Sequence, residues 1–157
     1  MPPTVTVSTS AESVYLATRF SDVANAGVYL SSVHPSVALS CEGTLKKIKE
    51  LGAKPALAIN PETPMETLRP YLQYCEEVVV MSVHPGFGGQ SFIEASFDRI
   101  KELRDMRAEM GLDFAIEVDG GIKLSNVEDV LKCGADIIVA GSAVFKKLGF
   151  GNDAVPE

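Results

Sequence analysis

Asp119 is the side chain in this sequence best placed for acid–base chemistry. It follows the strand-like run 115–118 and directly precedes Gly120 and Gly121. A carboxylate at the end of a buried strand can take up and return a proton, or it can bind a metal ion. An aspartate before glycine is also a common turn in α/β proteins, so its meaning depends on the residues around it.

Three glycine-rich turns follow short apolar runs, and one of them contains Asp119. Residues 82–92 read SVHPGFGGQSF, residues 118–121 read VDGG and residues 139–142 read VAGS. Main-chain N–H groups in such turns can close over a phosphate or a sugar. We therefore predict a phosphate cradle at the later two turns, formed by Gly121, Gly141 and Ser142. The alternative is tight packing of a helix against a strand, which also demands glycine.

The two histidines, His34 and His84, both lie at predicted strand ends. Imidazole is a common metal ligand, so a substitute metal site together with Asp119 is one interpretation. The interpretation we favour is a substrate contact or a hydrogen-bonded loop histidine.

The composition restricts the class of protein. The chain has 157 residues, enough for one domain with a core, and we predict a single domain over 1–157. A net charge of −7 argues against a nucleic-acid-binding surface. No apolar run reaches the roughly 20 residues of a membrane span, and the first residues lack the pattern of a signal peptide.

The cysteines favour a cytoplasmic protein. Cys41, Cys75 and Cys133 are odd in number, widely spaced and without a CxxC pair. We interpret them as reduced residues that pack in the interior rather than as nucleophiles.

Strands and helices are predicted to alternate along the chain. Continuously apolar runs indicate strands covered on both faces, as in a parallel sheet. The predicted strands are 28–33, 54–59, 78–83, 115–118 and 137–140. Such repeats favour either a (β/α)8 barrel or an open doubly wound sheet, and the absence of GxGxxG after the first strand favours the barrel. Glycine-rich loops after late strands are typical of the phosphate site of a barrel.

The helices between these strands have recognisable ends. Residues 63–66 (TPME) and 125–128 (SNVE) each predict a capping box with the first residue as N-cap. Two apolar stripes are predicted to face the core, one at Leu68, Tyr71, Leu72 and Cys75 and one at Phe97, Ile100, Leu103 and Met106. Glycine typically ends a helix in the left-handed conformation, and the predicted positions are Gly52, Gly111 and Gly134.

Several segments together resemble the ribulose-phosphate 3-epimerase family. Residues 81–92 (MSVHPGFGGQSF) resemble its sixth strand and the lid loop that follows, which is a specific signature. The other matching segments, in chain order, are 32–35 (SVHP) for strand four, 58–64 (AINPETP) for strand five, 117–122 (EVDGGI) for strand seven and 139–145 (VAGSAVF) for strand eight. The similarity runs from about residue 20 to residue 145 in the family's order and spacing.

The resemblance implies a partial (β/α)8 TIM barrel of the ribulose-phosphate-binding type. A complete barrel takes roughly 200 to 250 residues, so we expect the first two strands or so to be lacking. The chain would correspond to about strands three or four to eight. Residues 4–7 (TVTV) are interpreted as a relic of the third strand.

The resemblance also implies a reaction, the interconversion of D-ribulose 5-phosphate and D-xylulose 5-phosphate. Proton transfer at C3 passes through an ene-diolate, and two aspartates serve opposite faces of the carbon. A divalent metal (Fe²⁺, Zn²⁺ or Mn²⁺) held by two histidines and the two aspartates stabilises the ene-diolate oxygens. Of these four groups only Asp119 has a counterpart here, as both metal ligand and acid–base group. One carboxylate does not complete a transition-metal site, which takes about three or four protein ligands.

The remaining site residues and partners follow from the same resemblance. The implied substrate and phosphate contacts are Met81, Gly86, Gly88, Gly89, Gly120, Gly121, Gly141 and Ser142. Met81 has an equally good interpretation as a core residue. The expected partner is a small sugar phosphate, with neither nucleic acid nor membrane.

Two other functions stay open. One is a catalytically inactive truncated paralogue that binds a sugar phosphate or a partner subunit, with a homo-oligomer formed through open sheet edges. The other is a related barrel such as an allulose-6-phosphate epimerase, which the retained residues do not distinguish.

Overall fold

The structure is a computed structural model that describes residues 4–8, 14–19, 26–30, 38–50, 52, 54–84 and 89–141. The strands are β1 Thr4–Ser8, β2 Val14–Arg19, β3 Ala26–Leu30, β4 Pro55–Ile59, β5 Glu77–Met81, β6 Ala115–Asp119 and β7 Ile137–Val139. The helices are α1 Ala38–Glu50, α2 Arg69–Leu72, α3 Ser96–Glu109 and α4 Val127–Cys133, and a 3-10 helix, Met65–Leu68, leads into α2.

The described strands form one sheet in the order β1-β2-β3-β4-β5-β6-β7. From β3 to β7 every pairing is parallel, and a helix lies in each connection. A doubly wound sheet reverses its strand order at a switch point, whereas a barrel adds each strand beside the previous one. The sequential order therefore supports the α/β architecture of a partial (β/α)8 barrel.

The first part of the sheet differs from the sequence prediction. β1 pairs antiparallel with β2, and β2 pairs antiparallel with β3. A barrel strand runs parallel to its neighbours, so the interpretation of residues 4–7 as a relic of the third barrel strand is wrong. The strand β2 was not predicted, because its mixed run VYLATR lacks the continuous apolar character of the later strands.

In β4 and β5 both faces of the sheet are buried, as the continuously apolar runs predicted, whereas in β6 every second residue is only half-buried. Every residue of β4 is buried. One face packs under the helices through a large core whose strand members include Leu57, Ile59, Val78, Val80, Ile116 and Val118. The opposite face carries a smaller buried cluster of Ala56, Ala58 and Val79, with Met81 packed against it. Side chains alternate between faces along each strand, so residues 117 and 119 share the face of Met81.

The helix stripes are confirmed, but neither capping box forms. Leu68, Tyr71, Leu72 and Cys75 are all buried in the core. On α3, Ile100, Leu103 and Met106 are buried and Phe97 packs partly buried against the core. The predicted helix-end glycines have positive φ, +80° at Gly52, +63° at Gly111 and +120° at Gly134. Cys75 and Cys133 are buried free thiols, as predicted, while the side chain of Cys41 lies outside the described part.

Local turns displace both predicted caps. The Thr63 N–H closes a turn onto Asn60 O at 3.0 Å, and the extended Pro64 then starts a 3-10 helix without a side-chain cap. At the start of α4 the N-cap is Asn126, whose Oδ1 accepts a hydrogen bond from Lys123 N at 2.8 Å. Short polar side chains compete with the helix for main-chain groups, and here the preceding turn prevails.

Asp136 joins three elements at the amino ends of the strands. Its Oδ2 accepts from Ile116 N at 2.9 Å and from Arg107 Nη1 at 2.6 Å. The same guanidinium nitrogen donates to Phe114 O at 2.7 Å. This carboxylate therefore ties α3 and β6 to the start of β7.

Asp136→Ala is expected to lower the free energy of unfolding by about 1–3 kcal/mol, because the Ile116 N–H loses its acceptor. Urea denaturation followed by circular dichroism measures the change. The matched control is Asp105→Ala, since Asp105 contacts only the exposed Arg104 side chain and should cost about 0–1 kcal/mol. Equal losses in the two variants would contradict the role given to Asp136.

Candidate active site

Asp119 is the last residue of β6 and lies at the carboxyl edge of the parallel sheet. In register it stands between Met81, the last residue of β5, and Val139, the last residue of β7. Neighbours in register place their side chains on one face, so the structure brings Asp119 and Met81 together. Met81 is at the same time a core residue, because it packs on the small buried cluster.

The environment of Asp119 suits a proton carrier. Its side chain is partly buried, and desolvation by burial raises the pKa of its carboxyl above the ordinary value. No lysine, arginine or histidine in the described ranges forms an ion pair with it, so within those ranges no paired cation offsets the desolvation. A carboxyl with a raised pKa holds a proton more readily than an exposed aspartate and returns it at higher pH.

Ser82 organises the main chain around Asp119. It is fully buried, its N–H donates to Asp119 O at 2.9 Å, and its Oγ donates to Gly120 O at 2.7 Å. Its carbonyl accepts from Ile93 N at 2.8 Å. One residue therefore links the ends of β5 and β6 to the segment after the long glycine-rich loop. Sequence reasoning assigned Ser82 no role, although a serine that ends an apolar run was a usable signal.

Close packing requires glycine at positions 120 and 121. Gly120 has φ +126°, and a Cβ there would lie 2.5 Å from Val83 Cγ2. Gly121 has φ +67°, and a Cβ there would lie 2.7 Å from Phe92 Cα and would also overlap Phe92 N. Tight packing, the alternative predicted from the sequence, therefore accounts for both glycines. The packing is between two loop segments rather than between a helix and a strand. The phosphate-binding role stays a prediction.

The other glycine-rich positions are only partly described. Gly89 is exposed with φ +78°, and a Cβ at Gly89 or at Gly141 would meet no atom within 4 Å. Packing against the described residues therefore does not require glycine at either position in the way that it does at Gly120 and Gly121. Gly86, Gly88, Ser142 and His34 lie outside the described residues.

The imidazole of His84 meets Glu62 and, within the described residues, joins no cluster of possible metal ligands with Asp119. Its Nδ1 lies 2.8 Å from Glu62 Oε1 in the turn after β4, and both side chains are well exposed. Gln90 Nε2 donates to His84 O at 2.6 Å, which joins the two ends of the glycine-rich loop. These contacts agree with the interpretation of His84 as a hydrogen-bonded loop histidine, and the alternative of a substrate contact stays a prediction.

The described residues do not fit a resident divalent metal. Within the described ranges no three His, Cys, Asp or Glu side chains come close enough to hold an ion. Asp119 is the one ligand that the resemblance implies, and a single carboxylate leaves a transition metal short of protein donors.

The described helices include none long and apolar enough to cross a bilayer.

Comparison with known proteins assigns the chain to a family. Residues 14–145 match the Ribulose-phosphate 3 epimerase family, so the match starts after β1. Ribulose-phosphate 3-epimerase of Escherichia coli K12 is 43% identical over 124 residues, which cover 79% of this chain and 55% of that protein. The enzyme of the same name from Synechocystis is 49% identical over 126 residues, covering 79% and 55%. That from Aquifex aeolicus is 43% identical over 120 residues, covering 76% and 54%.

The chain spans about half the length of the curated relatives it matches. The match nevertheless covers most of this chain, including the strand end that carries Asp119 and the packed turn at Gly120 and Gly121. On this match and on the parallel strand order, the chain belongs to the ribulose-phosphate 3-epimerase family.

Proposed function

We propose that this chain acts on D-ribulose 5-phosphate and D-xylulose 5-phosphate and exchanges the proton at C3, with Asp119 as the proton carrier. The observation that carries the proposal is a desolvated carboxyl at the carboxyl end of β6, in register with Met81. The names of the relatives, ribulose-phosphate 3-epimerase, supply the substrate class.

The chemistry follows from the position of C3 beside the C2 carbonyl. Removal of the C3 proton leaves a negative charge that spreads onto the carbonyl oxygen, and the product is an ene-diolate. The Asp119 carboxylate takes this proton, and its raised pKa makes it a stronger base than an exposed aspartate; the neutral acid formed in this way can then return a proton to the ene-diolate. Asp119 acts on one face of the carbon, and inversion needs a second acid on the opposite face.

The phosphate is assigned to the turns at the same sheet edge. Gly120 and Gly121 follow β6, and Gly141 and Ser142 follow β7. Main-chain N–H groups suit an acidic protein, because a net charge of −7 offers no general attraction for a phosphate. Gly86, Gly88 and Gly89, in the long loop after β5, are assigned to the sugar.

Solvent exchange tests the proposal directly. The purified chain is incubated with D-ribulose 5-phosphate in D₂O, loss of the C3–H signal is followed by proton NMR, and a coupled assay detects D-xylulose 5-phosphate. Exchange faster than in a sample without protein supports the proposal. Formation of D-xylulose 5-phosphate in addition would show that protons are exchanged on both faces of C3. No exchange would overturn it, and thermal stabilisation by the sugar phosphate would then favour the non-catalytic binding protein.

The cytoplasmic location, the single-domain organisation over 1–157 and a homo-oligomer formed through open sheet edges stay predictions. The first rests on the odd, widely spaced cysteines and the second on the uninterrupted strand–helix series. The third rests on the general tendency of open parallel edges to pair.

A further inference from the structure

Arg99 on α3 donates both of its terminal nitrogens to main-chain carbonyls of one turn. Arg69, Arg104 and Arg107 each form an ion pair with a carboxylate, and Arg104 and Arg107 add one carbonyl each. Arg99 instead donates from Nη1 to Thr63 O at 2.8 Å and from Nη2 to Asn60 O at 3.0 Å. Both acceptors are main-chain carbonyls of the turn after β4. A guanidinium presents its N–H donors in a rigid, planar fork. Because two of these donors bond to carbonyls of one turn, they hold that turn in a fixed position relative to α3.

The turn that Arg99 holds is itself closed by a hydrogen bond. Thr63 N donates to Asn60 O at 3.0 Å, so this carbonyl accepts from both the turn and Arg99. Thr63 is buried, and Pro61 restricts the second position of the turn. Glu62 occupies the third position, and its carboxylate projects to His84 Nδ1 at 2.8 Å.

His84 precedes the glycine-rich segment in the sequence, and Gln90, which follows that segment, donates from Nε2 to His84 O at 2.6 Å. The loop therefore starts from a residue held by Glu62 and ends in the segment that leads into α3. Arg99, on the first turn of α3, bonds back to the turn that carries Glu62. These contacts form a closed frame of Arg99, the turn 60–63, Glu62 and His84 around the root of the loop.

We propose that Arg99 is a positioning residue for His84, acting through the turn 60–63 and Glu62, and that His84 is the residue from which the glycine-rich segment of the sequence starts. By holding the turn 60–63 against α3, Arg99 sets where Glu62 can meet His84. The inference rests on the proposed function in one respect, since the loop is assigned to the sugar. The frame itself is tested without any activity.

The first test measures hydrogen exchange of the Thr63 amide by NMR, as a ratio to the Val130 amide in α4, which bonds to the O atom of the N-cap residue Asn126. Arg99→Met should raise this ratio about tenfold, because the turn loses its clamp. Arg99→Lys should raise it less, since an ammonium retains one carbonyl. The matched control is Lys101→Met, also on α3, since Lys101 is exposed and pairs with the exposed Asp98; its ratio should stay within about twofold. Equal ratios in the Met variants at 99 and 101 would overturn the proposal.

The second test follows the imidazole resonances, which are simple because the chain has two histidines. Arg99→Met should move the His84 signals toward their positions in Glu62→Gln, and the His34 signals should stay in place. Unmoved His84 signals in Arg99→Met would overturn the link through Glu62, whatever the activity of the chain.

If C3 exchange is observed, the same variants separate positioning from catalysis. Arg99→Met and Glu62→Gln should each raise KM by about fivefold with a smaller change in kcat, and the double variant should add little to either. Arg99→Lys should recover part of the loss. Fully additive effects in the double variant would contradict a shared path.

Discussion

Asp119→Asn is expected to abolish exchange of the C3 proton of D-ribulose 5-phosphate, with a loss of at least about 10³-fold in rate. The amide keeps the size of the side chain but accepts no proton. Affinity for the sugar phosphate should stay within a few-fold, because the phosphate is assigned to main-chain groups. Proton NMR in D₂O measures the exchange, and calorimetry with D-ribulose 5-phosphate measures the affinity.

The matched control for this variant is Asp98→Asn. Asp98 lies on α3, is strongly exposed and pairs only with the exposed Lys101. Its substitution makes the same chemical change away from the sheet edge and should leave the exchange rate unaltered. Unchanged exchange in Asp119→Asn would remove Asp119 from the reaction.

The raised pKa of Asp119 also predicts the pH dependence. The carboxylate is the base, so exchange should fall on acidification through a pKa above the ordinary aspartate value. The folding stability depends on pH in the opposite direction to the exchange rate. A folded-state pKa above the unfolded value means that the stabilising contribution is present below the unfolded pKa and is lost as pH rises through the folded pKa.

Asp119→Asn should therefore have an equal or higher Tm than the parent chain at about pH 7, where the parent carries a desolvated carboxylate, and the difference should vanish at about pH 3, below the pKa of an unfolded aspartate. Thermal denaturation at both pH values measures it. A lower Tm for the variant at neutral pH would show that the charge of Asp119 is stabilised rather than penalised.

Gly121→Ala is expected to lower the free energy of unfolding by about 3 kcal/mol or more, the largest stability effect we predict. Two causes add up. The backbone at φ +67° is unfavourable for an L side chain, and the new Cβ would overlap the main chain of Phe92. Because the overlap is with backbone, no side-chain rotation relieves it. Urea denaturation gives the free energy.

Gly111→Ala separates these two causes. Gly111 has φ +63°, close to that of Gly121, but a Cβ there meets nothing within 4 Å. This variant should cost about 1–2 kcal/mol from the left-handed backbone alone. The additional loss of unfolding free energy in Gly121→Ala measures the cost of the overlap between the new Cβ and the main chain of Phe92. Similar losses in the two variants would mean that the segment at Phe92 moves to make room for the methyl group.

The sequence by itself determined the local features of this protein. Continuous apolar runs predicted the parallel strands β3 to β7, because a strand covered on both faces has no polar side to reveal its alternation. The α3 stripe and the helix-end glycines were also read correctly, since helical period and positive φ are properties of neighbouring residues. Asp119 was singled out for the same reason, as a carboxylate at a predicted strand end before two glycines.

Only the tertiary structure decided what depends on residues distant in the chain. The antiparallel pairing of β1 with β2 was not predictable, because pairing direction is set between strands rather than within them. The raised pKa of Asp119 comes from burial by its surroundings, and Gly121 is fixed by a main chain that approaches from 29 positions earlier (Gly121 against Phe92). Arg99 looked like an ordinary charged helix position, and only the folded chain brings the carbonyls of Asn60 and Thr63 to its guanidinium.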